Sequence, residues 1–309
     1  MISLISPSQV KNPTSIAIGS FDGLHEGHRR LINSVVNERK YTPTIASFWP
    51  HPREVLYKEK RLRLDLPEEK LPLLESLGIE QLVLIPFDIN LSHLSAENFV
   101  RDIIIGQLQA KSISVGENFR FGYRRSGDVE TIKNICNRVN IKLNIVPVLK
   151  DKVGRISSSR VRNLLMNYDL DNAKKILKRS YSFTGKVVRG KGLGRKIGCP
   201  TANIEIDGRK FLPGEGVYAA LTSCDKFKFK VASVMNLGPQ PTINPLAPSA
   251  VEVHLIDQNI DLYDEKLKVI PVRKIRSQKT FLNVEELSKQ ISLDIKMAKD
   301  ILKEKYKDE

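Results

Sequence analysis

Long apolar runs are missing from this sequence. A helix needs about 20 consecutive apolar residues to cross a membrane, and no run of that length occurs in the 309 residues. The first residues, MISLISPSQVKNPTS, lack a basic leader followed by an apolar core, so they do not predict a signal peptide. We therefore expect a cytoplasmic protein that does not associate with membranes.

Cysteine is scarce as well. The three cysteines, Cys136, Cys199 and Cys224, cannot all pair with one another, and their spacing is not that of metal ligands. The sequence contains no cysteine cluster and no HExxH pattern, so it does not predict a zinc site. These observations favour reduced thiols in a reducing compartment.

The signatures of nucleic-acid-binding modules are also missing. The net charge of +15 attracts nucleic acids and phosphorylated metabolites alike. However, no RNP-like, zinc-finger or helix-turn-helix pattern accompanies this charge, and only one tryptophan and eight tyrosines are available for stacking on bases. A basic nucleic-acid-binding module is therefore the less favoured interpretation, and we expect no nucleic-acid partner.

The first half of the sequence alternates strand patterns with helical patterns, beginning with an apolar run at 16–18. Further strands are predicted at 44–49, 80–86, 111–116 and 141–147. Helices are predicted at 29–39, 95–109, 129–138, 159–167 and 171–179. This alternation predicts a Rossmann-like α/β domain, with a parallel sheet covered by helices on both faces.

After Tyr181 the pattern changes, because strand patterns follow one another without helices between them. The predicted strands are 181–188, 217–222, 227–235, 249–256 and 266–276. Such a series predicts a closed antiparallel β-barrel, followed by a C-terminal helix at 284–304. The change of pattern predicts two domains, residues 1–180 and 181–309.

Two histidines, His25 and His28, follow the first strand in the stretch GSFDGLHEGH. The strand ends in a Gly/Ser turn and a helix follows, so the pair lies at the carboxyl edge of the predicted sheet, where helix amino termini favour anions. As a metal site the pair would be two ligands short of the usual four. Structural histidines and a phosphate site are the remaining interpretations.

Three further stretches fall at predicted strand ends or helix starts: FWPHPRE (48–54), VGENFRFGYRRSGD (115–128) and ISSSRVR (156–162). Taken singly, their serines could be helix caps, their arginines solvated charges and their phenylalanines core residues. Together with the histidines they fit attack of a phosphate on the α-phosphorus of a nucleoside triphosphate. In that chemistry the protein positions the reactants and directs hydrogen-bond donors at the developing charge.

GSFDGLHEGH and ISSSRVR resemble the paired signatures of the HxGH nucleotidyltransferases. With FWPHPRE and GENFRFGYRRSGD added, the first half is similar to the adenylyltransferase module of bacterial bifunctional riboflavin kinase/FAD synthetases. The resemblance implies that His25 and His28 contact the ATP phosphates and stabilise the transition state. It also implies that Arg162 binds phosphate. The further contacts we expect are with ATP at Gly19, Phe21, Ser157 and Ser158, and with flavin at Asn118, Arg120 and Phe121.

The stretch GKVVRGKGLGRKIGCPTANI (185–204) dominates the second half. It is not a P-loop, because Gly192 stands where Ser or Thr is required, and its glycines do not form GxGxxG. A cationic loop whose N–H groups wrap phosphates and a Gly-rich turn are the two interpretations left. Thr201 and Asn203 offer neutral oxygen ligands to Mg²⁺ on ATP. The expected ATP contacts in the loop are Gly190, Gly192, Gly194 and Arg195.

SAVEVHLID (249–257) alternates apolar and polar residues. If its apolar side faces outward onto the C-terminal helix, Glu252 points into the barrel, where a carboxylate is costly unless it is used. Glu252 could then take the proton from a hydroxyl that attacks the γ-phosphate. The alternative is a pair of polar surface residues, Glu252 and His254.

GRKIGCPTAN, MNLGPQPT and VEVHLID together resemble the riboflavin kinase module of the same bifunctional family. The resemblance implies that Thr201 and Asn203 hold Mg·ATP and that Glu252 is the base. RKIRSQKTF resembles the segment that closes over flavin, which implies a flavin contact at Arg276. Two residues depart from the family pattern: Gln258 stands where an aromatic residue is usual, and Asp264 where glycine is usual.

The expected function is therefore two reactions in one chain. Riboflavin and ATP would give FMN in the barrel domain, and FMN and ATP would give FAD in the sheet domain. A single-activity FMN adenylyltransferase with a flavin-binding second domain is the alternative, and the presence of Thr201, Asn203 and Glu252 argues against it. The expected partners are ATP, riboflavin, FMN and FAD, with Mg²⁺ accompanying ATP; no pattern indicates an oligomeric state.

Overall fold

The computed structural model describes residues 3–59, 62–190, 194, 198–238, 251–258 and 260–305. The chain forms two compact units, Met1–Ser158 and Ser159–Glu309. Each unit has its own sheet, and among these described residues no sheet combines strands of both units.

The first unit contains a six-stranded parallel sheet in the order β1-β4-β3-β2-β5-β6. Its strands are β1 (Ser3–Ile5), β2 (Thr14–Ile18), β3 (Thr42–Trp49), β4 (Gln81–Pro86), β5 (Ala110–Gly116) and β6 (Lys142–Val146). The central strand β2 is buried along its whole length, as expected for a strand with helices on both faces. A short hairpin follows the sheet, formed by β7 (Lys150–Asp151) and β8 (Gly154–Arg155).

Helices cover both faces of this sheet. In chain order they are α1 (Glu26–Val36), α2 (Pro52–Tyr57), α3 (Pro67–Glu75), α4 (Ile89–Ser92), α5 (Ala96–Asn98), a π-helix (Phe99–Gln107) and α6 (Val129–Arg138). Short 3-10 turns occupy Pro7–Gln9 and Tyr123–Arg125. Alternation along β2 divides the core into two layers, because Ile16 and Ile18 pack with the π-helix and α6, whereas Ala17 packs with α1 and α3.

The strand order reverses next to β2. From β2 the chain adds β3 and β4 on one side, and it then adds β5 and β6 on the other side. In open parallel sheets such a reversal creates a crevice outside the carboxyl ends of the two strands concerned. Here those strands are β2 and β5. Strand β2 is followed by the turn that carries His25 and His28, which we call the HxGH turn, and β5 leads into the 115–128 stretch.

The second unit contains a closed antiparallel barrel in the order β10-β13-β12-β11-β14-β9. Its strands are β9 (Phe183–Val188), β10 (Ala202–Glu205), β11 (Gly216–Ser223), β12 (Val231–Leu237), β13 (Val251–Leu255) and β14 (Lys266–Arg276). The helices that the structure gives with their bounds in this part of the chain are α7 (Ser158–Met166), α8 (Leu170–Leu177) and α9 (Val284–Lys305). Ala298 and Leu302 of α9 pack on the outer barrel face, against Val217, Val234 and Val272.

The predicted fold class is confirmed: a parallel α/β sheet is followed by an antiparallel barrel and a C-terminal helix. Strand β10 was not predicted, because it is only four residues long and its polar residues resemble a loop. Helix α3 was also missed, because Pro72 interrupts its pattern. The predicted helix at 95–109 is α5 continued by the π-helix.

Helices α7 and α8 pack with the barrel rather than with the sheet that precedes them in the chain. The backbone N–H of Gly214 donates to the carbonyl of Leu165 at 3.3 Å, and Lys305 of α9 pairs with Asp171 of α8. The change of sequence pattern near residue 180 comes later than the structural division, since these two helices carry no strand pattern. The functional division at 180/181 stays a prediction.

Candidate functional site

The turn after β2 has a strained backbone that presents His25 and His28. Phe21 and Leu24 both have φ of 45° although neither is glycine, and Phe21 is buried. A Cβ on Gly27 would lie 3.2 Å from Cε1 of His25, so a glycine between the histidines lets the His25 ring lie flat against the helix start. Gly19, at the end of β2, donates its N–H to the carbonyl of Ala46 at 3.1 Å.

The two imidazole rings are stacked, with centroids 3.7 Å apart and planes 14° from parallel. His25 is the N-cap of α1, and its Nδ1 accepts the backbone N–H of His28 at 3.3 Å. An Nδ1 that accepts carries no proton, so the proton of a neutral His25 is on Nε2. His25 therefore presents an N–H donor.

Both histidines are neutral near pH 7. Burial lowers the pKa of His25 to about 4, against weaker opposing effects of its own backbone and of Asp22. The pKa of His28 is lowered well below its usual value, first by burial and then by the neighbouring His25 and Lys70. A neutral imidazole still donates one hydrogen bond, and a donor aimed at a phosphate oxygen stabilises the charge that grows there.

A buried polar support underlies the turn. The Nζ of Lys70 on α3 and the hydroxyl of Ser47 both donate to the carbonyl of Ser20 at 3.3 Å. The carboxylate of Asp22 accepts the N–H of Leu64 at 2.8 Å. Lys70 is 7% exposed, and burial lowers its pKa although Asp22 and Asp65 counteract this effect. Lys70 was not predicted from the sequence, because a lysine is usually a surface residue and no pattern marks this one as buried.

The serines of ISSSRVR lie at the start of α7. The hydroxyl of Ser158 donates to the carbonyl of Asp22 at 2.8 Å, and both residues belong to the first unit. Ser157 directly precedes α7. The guanidinium of Arg162, in the second unit, lies 5.7 Å from the centre of the Phe211 ring.

The stretch FWPHPRE forms the end of β3 and the start of α2. His51 caps α2, since its Nδ1 accepts the N–H of Arg53 at 3.1 Å and its own N–H donates to Glu54 at 3.0 Å. The guanidinium of Arg63 lies over the ring of Trp49, 5.3 Å from its centre. These contacts give the stretch a structural role at the edge of the sheet.

The loop after β5 carries the three expected flavin contacts. With the Asn118 amide turned so that its oxygen faces Arg155, the oxygen accepts from Nη1 and Nη2 at 3.1 and 2.7 Å. Arg120 pairs with Asp128 at 3.1 Å and is partly exposed. Phe121 is buried in the core and its ring stacks on Phe119 at 5.1 Å. Flavin contacts at these residues stay predictions.

Arg155 was not predicted from the sequence, yet it connects the two loops. It faces Asn118 after β5, and its charge acts on the His25 imidazole, where it lowers the pKa. Arg155 ends the β7–β8 hairpin just before α7. A basic residue within a short polar hairpin has no periodic signal that distinguishes it from a solvated charge.

The second candidate site lies on the outside of the barrel, where Thr201 and Asn203 contact two glycines. A Cβ on Gly190 would lie 2.0 Å from Nδ2 of Asn203, and one on Gly194 would lie 3.1 Å from Oγ1 of Thr201. The N–H of Cys199 also donates to the carbonyl of Gly194 at 2.9 Å. Gly192 and Arg195 lie outside the described residues.

A row of polar side chains crosses this barrel face. Glu252 on β13 is the direct cross-strand partner of Asn203 on β10 and of Asn236 on β12. Direct partners share a face and have Cβ atoms about 4.5–5.5 Å apart. Gln278, after β14, donates its Nε2 to Oδ1 of Asn236 at 2.8 Å.

The expectation that Glu252 points into the barrel is wrong. Val251 and Val253, on the apolar side of β13, are buried, and Val253 pairs with the buried Met235. Val234, which lies next to Met235 and so points to the opposite face, packs against α9 outside the barrel. The apolar side of β13 therefore fills the barrel, and Glu252 lies on the outer face. The physical reason is that the apolar side chains of Val251 and Val253 are needed to fill the barrel interior, where they are buried.

His254 shares the face of Glu252 but has a partner of its own. Its Nδ1 lies 2.8 Å from the carbonyl of Pro200, which can only accept, so Nδ1 carries the proton. This bond orients His254 toward residues 200–203, which we call the PTAN segment. Glu252 has no comparable bond to a neighbouring backbone group among the hydrogen bonds of the described residues.

Two other expected residues have clear local roles. Arg276, which is partly buried, forms an ion pair with the buried Asp294 of α9, in which Nη2 and Oδ2 are 2.8 Å apart. Asp264 has φ of 65°, which explains why glycine is usual at this position. Aspartate tolerates this left-handed conformation better than most residues, and its carboxylate pairs with Lys186 at 2.9 Å.

The donors of the barrel site fit a hard cation. Thr201 offers a hydroxyl oxygen and Asn203 an amide oxygen, and hard cations such as Mg²⁺ prefer oxygen ligands. The glycines at 190 and 194 leave room for both side chains, since a Cβ at either position would collide with the site. Two neutral ligands suit a metal ion that arrives with phosphate oxygens.

Two family models match the chain: FAD synthetase over residues 8–160 and riboflavin kinase over residues 177–302. A bifunctional riboflavin kinase/FMN adenylyltransferase of Buchnera aphidicola subsp. Schizaphis graminum is 35% identical over 299 residues, covering 94% of this chain and 95% of the relative. The Escherichia coli K12 protein of the same description is 34% identical over 285 residues, covering 90% of each chain. The chain belongs to this bifunctional family.

As a member of the bifunctional riboflavin kinase/FMN adenylyltransferases, the chain phosphorylates riboflavin to FMN and adenylylates FMN to FAD. The single-activity alternative is not favoured, because both family models match. Both reactions use ATP, which indicates a dependence on a divalent metal ion.

The fold is shared with a solved structure described as a macrolide-efflux protein from Streptococcus pneumoniae. The TM-score is 0.82 and the identity 27%, with 95% of this chain and 97% of that chain covered. In the part of this chain that the structure describes, no helix combines the length and the hydropathy needed to cross a membrane.

Proposed function

We propose that residues 1–180 carry the FMN adenylyltransferase activity and residues 181–309 the riboflavin kinase activity. The positions of the two matching family models support this division. The strand reversal next to β2 supports a nucleotide site in the first part, and the glycine-lined PTAN segment supports one in the second part.

In adenylyl transfer, a phosphate oxygen of FMN attacks the α-phosphorus of ATP, and the bond to the pyrophosphate oxygen breaks. His25 and His28 donate hydrogen bonds to the phosphate oxygens whose charge grows in the transition state. The neutral state and the Nε2–H of His25 support this role. Arg162 neutralises phosphate charge, and the backbone at Gly19 and Phe21 and the serines 157 and 158 line the ATP side.

The flavin of FMN is bound at the loop after β5 by Asn118, Arg120 and Phe121. Arg155 donates two hydrogen bonds to the Asn118 amide oxygen, so the amide has a fixed orientation. Because Arg155 also acts on His25, the loop and the HxGH turn lie within electrostatic range of each other. This proximity is what transfer between two bound phosphates requires.

In the kinase reaction, Glu252 takes the proton from the riboflavin hydroxyl as its oxygen attacks the γ-phosphorus of ATP, and ADP leaves. Thr201 and Asn203 hold Mg²⁺ with ATP, and the chemistry that the ion supplies is neutralisation of phosphate charge. The loop at Gly190 and Gly194, with Gly192 and Arg195, wraps the phosphates. The cross-strand pairing of Asn203 with Glu252 supports this arrangement, because it brings the proposed metal ligand beside the proposed base.

The assignment of adenylyl transfer to residues 1–180 rests most directly on the stacked, neutral histidine pair, which follows β2 where the strand order reverses. Full-length protein should be incubated with riboflavin, Mg²⁺ and ATP, and FMN and FAD resolved by chromatography. His28→Ala should accumulate FMN and form little FAD. The matched control is His93→Ala, because His93 is an exposed histidine of the same unit.

The kinase assignment has a corresponding test. Glu252→Gln keeps the size of the side chain but removes its basicity, so it should stop FMN formation while FAD formation from added FMN continues. Glu205→Gln is the matched control, because Glu205 is an exposed glutamate on the same face of β10 as Asn203. Full kinase turnover in Glu252→Gln would refute the role of this carboxylate.

A further inference from the structure

Arg276 has a buried partner on the C-terminal helix. Its Nε donates to the two carboxylate oxygens of Asp294 at 2.9 and 3.1 Å, and its Nη2 donates to Oδ2 at 2.8 Å. Asp294 is 2% exposed, and Gln290, one turn earlier on α9, donates to its Oδ1 at 2.9 Å. The Arg276 guanidinium is thus committed to a carboxylate of its own chain.

This pair differs from a second ion pair that the described residues form between β14 and α9. Arg273 of β14 and Glu304 of α9 are 3.2 Å apart, but their side chains are 44% and 70% exposed. Exposed pairs contribute little, whereas loss of one partner from a buried bidentate pair leaves an uncompensated charge. The Arg276–Asp294 pair is therefore the stronger constraint on how β14 and α9 meet.

The constraint continues into the segment that follows β14. Nη1 of Arg276 donates to the carbonyl of Ser277 at 3.0 Å, and the guanidinium lies 5.7 Å from the centre of the Phe281 ring. Both ends of segment 277–281 therefore contact the arginine. Between them, Nε2 of Gln278 donates to Oδ1 of Asn236 and to the carbonyl of Leu237, both at 2.8 Å.

Segment 277–281 forms one wall of an open cavity of about 420 Å³. Its lining among the described residues is Glu215, Asn236, Gly238, Gln278, Lys279 and Thr280. Asn236, which Gln278 holds, is the direct cross-strand partner of Glu252. The cavity wall and the proposed base are thus connected through two hydrogen-bonded side chains, Gln278 and Asn236.

We propose that Arg276 and Asp294 are positioning residues that fix segment 277–281 as the wall of the cavity beside Glu252, and thereby set the affinity for riboflavin. Arg276 acts through its carboxylate partner and not by contact with the flavin. The inference rests on the proposed function of Glu252 in the kinase reaction. It assigns to α9 a part in substrate binding, although α9 lies outside the polar row.

A double-mutant cycle on the full-length protein tests this inference. Asp294→Asn, Arg276→Gln and the combined variant are assayed for FMN formation over a range of riboflavin concentrations. Each single variant should raise the KM for riboflavin about 10-fold, and the combined variant should raise it by the same factor and not by about 100-fold, because the two residues act as one unit. The KM for ATP and FAD formation from FMN should not change.

Arg273→Gln, Glu304→Gln and their combination are the matched controls, because they remove the exposed pair between the same strand and helix. These three variants should keep the wild-type KM for riboflavin. An equal rise of KM in the control variants would overturn the inference, because a general loosening of α9 would then explain the effect.

Two outcomes on the buried pair would overturn the inference as well. If the KM for riboflavin in the combined variant rises by the product of the two single effects, Arg276 and Asp294 act independently, as they would if Arg276 contacted the flavin directly. An unchanged KM in all three variants would mean that the pair does not position the wall. If the single variants are not folded, as shown by a lack of cooperative unfolding on heating, the KM of the combined variant alone tests the inference. The combined variant should fold, because it buries no unpaired charge.

Failure of the underlying function has a different signature. Full kinase turnover in Glu252→Gln would remove the proposed base and the inference with it. Loss of turnover in Glu252→Gln, together with an unchanged KM in the cycle, would reject only the positioning role of Arg276 and Asp294.

Discussion

Gly190→Ala tests the barrel site through a single methyl group. The Cβ of an alanine at this position would lie 2.0 Å from Nδ2 of Asn203, whereas non-bonded heavy atoms prefer about 3.5 Å, so the amide must move by about 1.5 Å. The backbone of Gly190 is not among the left-handed glycines, so alanine adds no strain of its own there. The substitution therefore displaces one proposed metal ligand and leaves the rest of the strand pairing in place.

A displacement of about 1 Å in a positioned group costs on the order of 100-fold in rate. We expect Gly190→Ala to slow FMN formation by about this factor. FAD formation from added FMN is the internal control in the same molecule and should stay at the wild-type rate. The assay is initial-rate chromatography of FMN and FAD at saturating Mg²⁺ and ATP. Wild-type kinase turnover in this variant would refute the reasoning that Asn203 must stay against Gly190.

Three further predictions concern the first unit. His28→Ala should slow FAD formation by about 100- to 1,000-fold, the usual loss for one transition-state donor, without affecting FMN formation in the product assay. Because burial lowers the pKa of His25 to about 4, the folded unit binds fewer protons than the unfolded chain between pH 4 and the ordinary value of 6.5. Its stability should therefore fall as the pH falls through this window, and urea titrations should show a smaller fall for His25→Gln. Lys70→Met should destabilise the unit by roughly 3 kcal/mol, as for loss of one partner from a buried charge cluster, and should slow FAD formation; unchanged urea midpoints would contradict the role of Lys70.

The sequence predicted the architecture because periodicity records burial. The apolar residues 16–18 of β2 and the alternation in β13 follow directly from which faces are covered. The HxGH turn was predictable because glycines and histidines at a strand end form a local pattern. The orientation of Glu252 was predicted wrongly, because alternation shows which residues share a face of a strand but not which face lies inside the barrel.

Residues that act through tertiary burial were harder to predict. Lys70 looks like a surface lysine on α3 until the fold brings Asp22 and Asp65 beside it. Asp294 did leave a signal: it lies seven residues after Leu287 and three after Ile291, so it falls on the apolar stripe of α9. A buried carboxylate on such a stripe indicates an ion-pair partner, which proved to be Arg276.

The central claim, two separate sites in one chain, is tested most directly by mixing two full-length variants. His28→Ala alone should convert riboflavin to FMN and stop there, and Glu252→Gln alone should leave riboflavin unchanged. The two together, with riboflavin, Mg²⁺ and ATP, should form FAD, because the first releases FMN and the second adenylylates it. Chromatography that shows no FAD in the mixture, while each variant is folded and the wild type forms FAD, would contradict the account.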